Sequence, residues 1–248
     1  EAIEIHTRDG SAEPTRLDDL DIGRPTELAV SPKKDQLIFC NHRFELLFVD
    51  LKTGEFSLLD KSEHNGISGM SWSPDGEWLA YGLATNDRTS SIKICRIETG
   101  ETWMVTPPEF NDFNPAWDPE GKFLYFLSYR EFNPVYDHLH FDLGFPQAVR
   151  PLLVTLRKDI TNPFVPVPQI GEEKKKDDDK QSNGDKDKDG DKNEIEVVKE
   201  QPVEIDFEDI QRRVVVFPYP EGRYGLIAGM EGKAVFTSFP QEGSLGRK

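Results

Sequence analysis

Ser73-Pro74-Asp75-Gly76-Glu77-Trp78-Leu79 is the stretch that decides the fold. Ser-Pro-Asp-Gly forms a turn, because proline presets φ at the second position and aspartate and glycine suit the positions after it. The stretch has two counterparts. Ser31-Pro32-Lys33-Lys34-Asp35-Gln36-Leu37 lies 42 residues earlier, and Asp118-Pro119-Glu120-Gly121-Lys122-Phe123-Leu124 lies 45 residues later. Internal repeats of about 40 to 50 residues mark propellers.

The flanks of each copy fill in a four-stranded unit. A short strand precedes the turn, as in Ile67-Ser68-Gly69-Met70-Ser71-Trp72. A more apolar strand follows it, as in Leu37-Ile38-Phe39-Cys40, Leu79-Ala80-Tyr81-Gly82 and Leu124-Tyr125-Phe126-Leu127. In the first two copies a third strand comes next, Leu46 to Val49 and Ile92 to Cys95. It is closed by Lys52-Thr53-Gly54-Glu55 and Glu98-Thr99-Gly100-Glu101, each leading into a fourth strand. Four short antiparallel strands per period make one propeller blade. The reading is all-β: a β-propeller fragment of about four blades, with four antiparallel strands per blade.

Residues 1–20 read as the outer part of a preceding blade, with Arg8-Asp9-Gly10 as its hairpin turn. Blades follow at about 24–60, 63–107 and 109–170, the last interrupted by an insertion over 130–151. Residues 171–200 read as a charged, disordered loop, and 201–248 as a further, truncated blade. A propeller needs at least four blades to close. A fragment of a larger ring leaves the faces of its terminal blades unpaired.

The net charge is −16. So acidic a chain argues against nucleic acid as a partner, since phosphate binding needs clustered lysine and arginine. No stretch reaches the roughly 18 consecutive apolar residues of a membrane helix, so no membrane partner is expected. The first residues already read as a strand, as in a piece of a longer protein. Cys40 and Cys95 both sit in apolar runs and read as buried free thiols.

Three patterns bear on chemistry. Asp185, Asp187 and Asp189, then Gly190 and Glu196, match the spacing of a calcium loop. The run is built mostly of aspartate and lysine, however, and Lys192 occupies the position usually held by an apolar residue. A solvated charged loop is the stronger reading. His138 and His140 have i, i+2 spacing with Asp137 and Asp142 nearby, but no third ligand is evident, so structural polar contacts are favoured over a metal. No nucleophile elbow, phosphate loop or dinucleotide fingerprint is present. No catalytic residue, metal or cofactor is assigned. Trp72 and Trp117 occupy equivalent repeat positions and read as packing between blades.

Trp72-Ser73-Pro74-Asp75-Gly76 resembles the repeats of TolB, of prolyl oligopeptidase propellers and of tricorn protease. Two stretches narrow this. One runs from Tyr136-Asp137-His138-Leu139-His140-Phe141-Asp142 through Arg150 to Asp159. The other runs from Val203 to Val215 and on to Pro218 and Gly222-Arg223-Tyr224. Together they resemble the N-terminal propeller region of bacterial tricorn-like serine proteases, over roughly residues 24 to 245. The resemblance implies a six-bladed ring, of which this chain holds only part. It also implies a non-catalytic segment that guides or filters peptides for a downstream serine-peptidase domain. The implied partners are peptides or unfolded polypeptide and the remaining domains of a homo-oligomeric parent. A cytoplasmic location is implied, with the periplasm as the alternative. The family's catalytic residues belong to later domains, and no position here matches them. The alternative function is a TolB-like protein-interaction propeller with no associated enzyme.

Overall fold

The computed structural model describes residues 2–137, 141–144, 148–166 and 202–240. Its first hairpin pairs β1 (Ile3–Ile5) with β2 (Thr15–Leu17). The first complete blade is β3 (Pro25–Val30), β4 (Gln36–Asn41), β5 (Glu45–Asp50) and β6 (Phe56–Lys61), paired in that order. The second is β7 (Ser68–Trp72), β8 (Trp78–Ala84), β9 (Ser90–Arg96) and β10 (Thr102–Met104). In the third, β11 (Asn111–Trp117) pairs β12 (Phe123–Tyr129). After a small hairpin of β13 (Val135–Asp137) and β14 (Asp142–Gly144), β12 pairs β15 (Val149–Thr155). The outer strand of this blade is β16 (Val214–Val216). A last hairpin joins β17 (Arg223–Met230) to β18 (Lys233–Phe239).

The apolar runs are continuous rather than alternating because each blade is covered on both faces. On β8, Trp78 and Ala80 point into a core shared with Leu124, Phe126, Leu152 and Val154 of the third blade. Leu79 and Tyr81 point the other way, into a core shared with Ile38, Cys40, Leu46 and Phe48 of the first. Ala116, Tyr125, Leu127 and Leu153 of the third blade meet Tyr224 and Ile227 of the last hairpin. Leu37, Phe39 and Val49 of the first blade meet Ile3 and Leu17 of the first hairpin. Each fully buried Leu, Ile or Phe contributes about 1.5–3 kcal/mol. The stack is therefore held by its interfaces. At its two ends the apolar side chains lie open, Leu28 and Val30 on β3 and Leu226, Met230 and Val235 on the last hairpin.

The turns follow the sequence. In the second blade Gly76 N–H donates to Ser73 O (3.0 Å), Ser73 N–H to Trp78 O (2.9 Å) and Trp78 N–H to Ser73 Oγ (2.9 Å). The turn glycine has φ of +72° at Gly76, +67° at Gly121 and +64° at Gly232, where a side chain would strain the backbone. Gly232 reveals a fourth, degenerate copy of the repeat in the last hairpin.

The expected domain boundaries need one correction. The stretch from 201 does not all belong to a further blade. β16 pairs β15 through Leu152–Val216, Leu153–Val215 and Val154–Val214, so residues 202–216 complete the third blade and only β17 and β18 begin another. The inserted segment is also shorter than 130–151, because β15 starts at Val149. The charged stretch 171–200 lies outside the described residues.

The returning segment is fixed by its own chemistry. Val203 and Ile210 are buried between the second and third blades. Val203 N–H donates to Asp75 Oδ2 (2.7 Å), and Trp78 Nε1–H donates to Val203 O (3.2 Å). Asp206 N–H donates to Leu156 O (2.9 Å), and its carboxylate accepts from Lys158 N–H (2.8 Å). The Arg213 guanidinium donates to four carbonyl oxygens, those of Thr155, Leu156, Asp206 and Glu208, and so ties this segment to the end of β15. Arg213→Met keeps the aliphatic stem and leaves those carbonyls without their charged donor. It is expected to cost about 2–3 kcal/mol in urea unfolding.

Candidate functional site: the channel lined by the inner strands

The inner strands β3, β7, β11 and β17 touch in succession, blade to blade. They line an open cavity of about 750 Å³. Each carries a register shift against its partner: Pro25/Glu27, Ser68/Ser71, Phe113/Ala116 and Tyr224/Ile227. Such bulges bend a strand and turn local groups out of the ladder.

The freed groups stitch each inner strand to the next. Glu27 accepts hydrogen bonds from Gly69 N–H (3.0 Å) and Met70 N–H (3.2 Å) at the bulge of β7. Asn114, at φ +50° in the bulge of β11, donates from Nδ2 to Gly225 O (2.7 Å) in the bulge of β17. Three residues further on, Trp72 Nε1–H donates to Ala29 O (3.2 Å) and Trp117 Nε1–H to Ser71 O (2.9 Å). The repeated tryptophans thus link neighbouring blades as well as packing between them. Glu27, Gly69 and Asn114 each stand four residues before the repeated turn. That shared offset is the sequence signal by which the stitching positions could have been found.

The wall of this channel is nearly free of charge. Among the described residues that line it, Glu27 is the one ionisable group, and both its oxygens are engaged by backbone amides. Pro32, Pro74, Pro115 and Pro119 also line it and bring no backbone N–H. In a chain of net charge −16 this places the charges elsewhere.

Two ionic groups, one half-buried and one buried, lie away from the wall. Lys93 and the Tyr81 hydroxyl both donate to Asp60 Oδ2, so a carboxylate from the first blade is met by two groups of the second. Asp112 is fully buried. It accepts from Ser128 Oγ and, at 3.3 Å, from Arg130, whose guanidinium stacks 4.4 Å from the Phe110 ring. Cys40 and Cys95 are buried and unpaired. Burial pushes both thiols up to about 12, with Glu27 adding to the effect at Cys40. Neither is a thiolate at neutral pH.

Asp118 stands where the other two repeats have Ser31 and Ser73. It is buried, and loss of hydration raises its carboxyl above the ordinary value. A raised carboxyl makes ionisation oppose folding at pH values above its native pKa. The penalty disappears once both folded and unfolded states are protonated. Asp118→Ser is therefore expected to raise stability at pH 7, and the gain should vanish below the ordinary carboxyl range. Thermal unfolding of both proteins across pH 2.5 to 7 reads this out; a gain that grows toward acid contradicts it.

The His138 and His140 pair and the pattern of Asp185, Asp187, Asp189 and Glu196 lie outside the described residues. Among the described residues, no group of three or more His, Cys, Asp or Glu side chains is placed to hold a metal ion. No described helix is long and apolar enough to cross a membrane.

Four-stranded blades sharing apolar faces around a lined channel define a β-propeller, present here as part of a ring. The family described as the tricorn protease second β-propeller domain matches residues 1–248. The chain belongs to that family. A tricorn-like protease C-terminal subunit of Sulfurisphaera tokodaii is 33% identical over 238 residues, which are 96% of this chain and 24% of that protein. Tricorn protease homolog 1 of Streptomyces coelicolor is 31% identical over 226 residues, which are 91% of this chain and 20% of that protein. The chain thus spans about a quarter or less of the curated relatives it matches. A crystal structure of the tricorn protease superposes with a TM-score of 0.75 at 21% identity, covering 98% of this chain and 22% of that one.

Proposed function

We propose that this domain is the non-catalytic conduit of a tricorn-like serine protease, guiding peptides toward or away from a peptidase domain elsewhere in the parent chain. The observation that carries the reading is the wall of the channel. A conduit for peptides of varied sequence must neither select by charge nor hold its cargo. A wall with a single carboxylate, its oxygens already held by backbone amides, and four prolines gives few handles to either charge or backbone. The partners in this reading are extended peptides and the other domains of the parent, and no cofactor is called for.

The test is a plug in the channel of the full-length protein. Leu226 lines the cavity and is 63% exposed. A cysteine placed there can be capped with a bulky maleimide, since the native thiols are buried and protonated. Capped Leu226→Cys is expected to lose hydrolysis of long unstructured peptides by at least about tenfold, some 1.4 kcal/mol in the barrier. The uncapped variant should keep it. Equal hydrolysis with and without the cap refutes the conduit.

A further inference from the structure

A second cavity, of about 190 Å³, opens beside the channel at the N-terminal ends of β7 and β11. The two cavities are contiguous along the chain. Ser68 and Phe113 line the small one, and the next residues, Gly69 and Asn114, line the channel. The small cavity therefore sits at the mouth of the large one, and its chemistry is the opposite.

Three carboxamides line it: Asn65, Asn86 and Asn111. Asn65 and Asn86 have their oxygens engaged by backbone amides. Asn65 Oδ1 accepts from Gly66 N–H (2.8 Å). Asn86 Oδ1 accepts from Arg88 N–H and Thr89 N–H (2.8 Å each). The Ser90 hydroxyl lies 2.6 Å from both Asn111 Oδ1 and the Asp112 carbonyl oxygen, and its single proton serves one of them. A backbone N–H can be met only by the amide oxygen, so the orientations of Asn65 and Asn86 are fixed by their partners. The NH2 groups of Asn65 and Asn86 are left over, with no acceptor among the described residues. Fixed donors of this kind call for a ligand rich in acceptors.

The charges decide which acceptor. Arg88 and Asp87 lie side by side at the rim and offset one another. The Asp112 carboxylate is already held by Ser128 and Arg130. The cavity is close to neutral, and it belongs to a strongly acidic chain, which disfavours an anion. We propose that this cavity is a capture site for the main chain of an extended peptide, binding its carbonyl oxygens through the amides of Asn65 and Asn86. Peptides are caught at the mouth by groups common to all sequences and then released into a wall that does not hold them. The inference rests on the conduit reading above and adds to it the group recognised and the residues that recognise it.

The probe is a fluorescein-labelled peptide, N-methylated along its backbone and blocked at both ends. It keeps every carbonyl oxygen, lacks N–H donors and resists cleavage. Binding is followed by anisotropy on the full-length protein. Asn→Asp is nearly isosteric and keeps the oxygen that the backbone needs, so Asn65→Asp with Asn86→Asp removes donors and leaves the loop bonds in place. The double variant is expected to bind about tenfold more weakly, and each single variant about threefold, with unchanged thermal unfolding. Unchanged affinity in the double variant, or no binding by the parent protein, overturns the proposal. So does binding confined to a peptide with a free carboxylate and lost in Arg88→Gln, which marks a carboxylate site instead. The capped Leu226→Cys protein separates the two readings. If the plug blocks long peptides while the asparagine variants bind normally, the conduit stands and the capture site falls.

Discussion

Trp78→Ala is expected to lower stability by about 3–5 kcal/mol, the cost of emptying a buried tryptophan site. Trp78 is where three parts of the chain meet. Its ring lies 5.8 Å from Trp103 of its own blade and 5.6 Å from Phe207 of the returning segment, and those two rings stack at 4.2 Å. Its indole N–H holds Val203 O. Its side chain also fills the core between the second and third blades. The loss should therefore appear as loosening of residues 202–216 before the first blade is affected. Trp78→Phe keeps part of the ring packing but gives up the hydrogen bond, and should fall between the two proteins. The measurements are urea unfolding and amide exchange. A change confined to β8, with the amides of 206–217 still protected, contradicts this account of the segment.

Gly229→Ala is expected to cost about 3 kcal/mol, the upper end for overpacking. The added Cβ would sit 2.2 Å from Trp117 O, 3.0 Å from Trp117 C and 3.1 Å from Asp118 Cα. These are backbone atoms at the end of β11 and the residue after it, which cannot rotate away, so β17 must move off the third blade. Gly229 has no positive φ, so the penalty is one of space and not of backbone conformation. Gly232 provides the control. It has φ +64° and open space around its absent Cβ, so Gly232→Ala should cost only about 1–2 kcal/mol of backbone strain. Exchange protection in β17 and β18 should collapse in the first variant and persist in the second. Equal, small losses at both positions would show that the inner strands are further apart than described.

The parts legible in the sequence are those that repeat. The turns at Ser31, Ser73 and Asp118 and the apolar runs after them carry local information, because turn chemistry and two-sided burial are set within a few residues. The parts that were not legible depend on distant pairing. β16 is three valines among several short apolar runs, and nothing local says that they pair β15 across a long insertion instead of opening a new blade. Arg213 reads as a surface charge until its four carbonyl partners are seen. The channel wall is spread over residues 27 to 229, in short runs contributed by each blade. The asparagines at its mouth, Asn65 and Asn86, stand in two different loops, and Asn111 begins β11. Trp72 and Trp117 were legible as equivalent positions, but their hydrogen bonds to Ala29 and Ser71 exist only once neighbouring inner strands lie side by side.

The course of the segment after Pro202 decides which strand closes the third blade and which hairpin begins the next. Backbone NOEs between β15 and β16 test this directly. Contacts joining Leu152 to Val216, Leu153 to Val215 and Val154 to Val214 are the expected result. Contacts joining 214–216 to β17, with none to β15, would contradict it and return residues 202–216 to a separate blade.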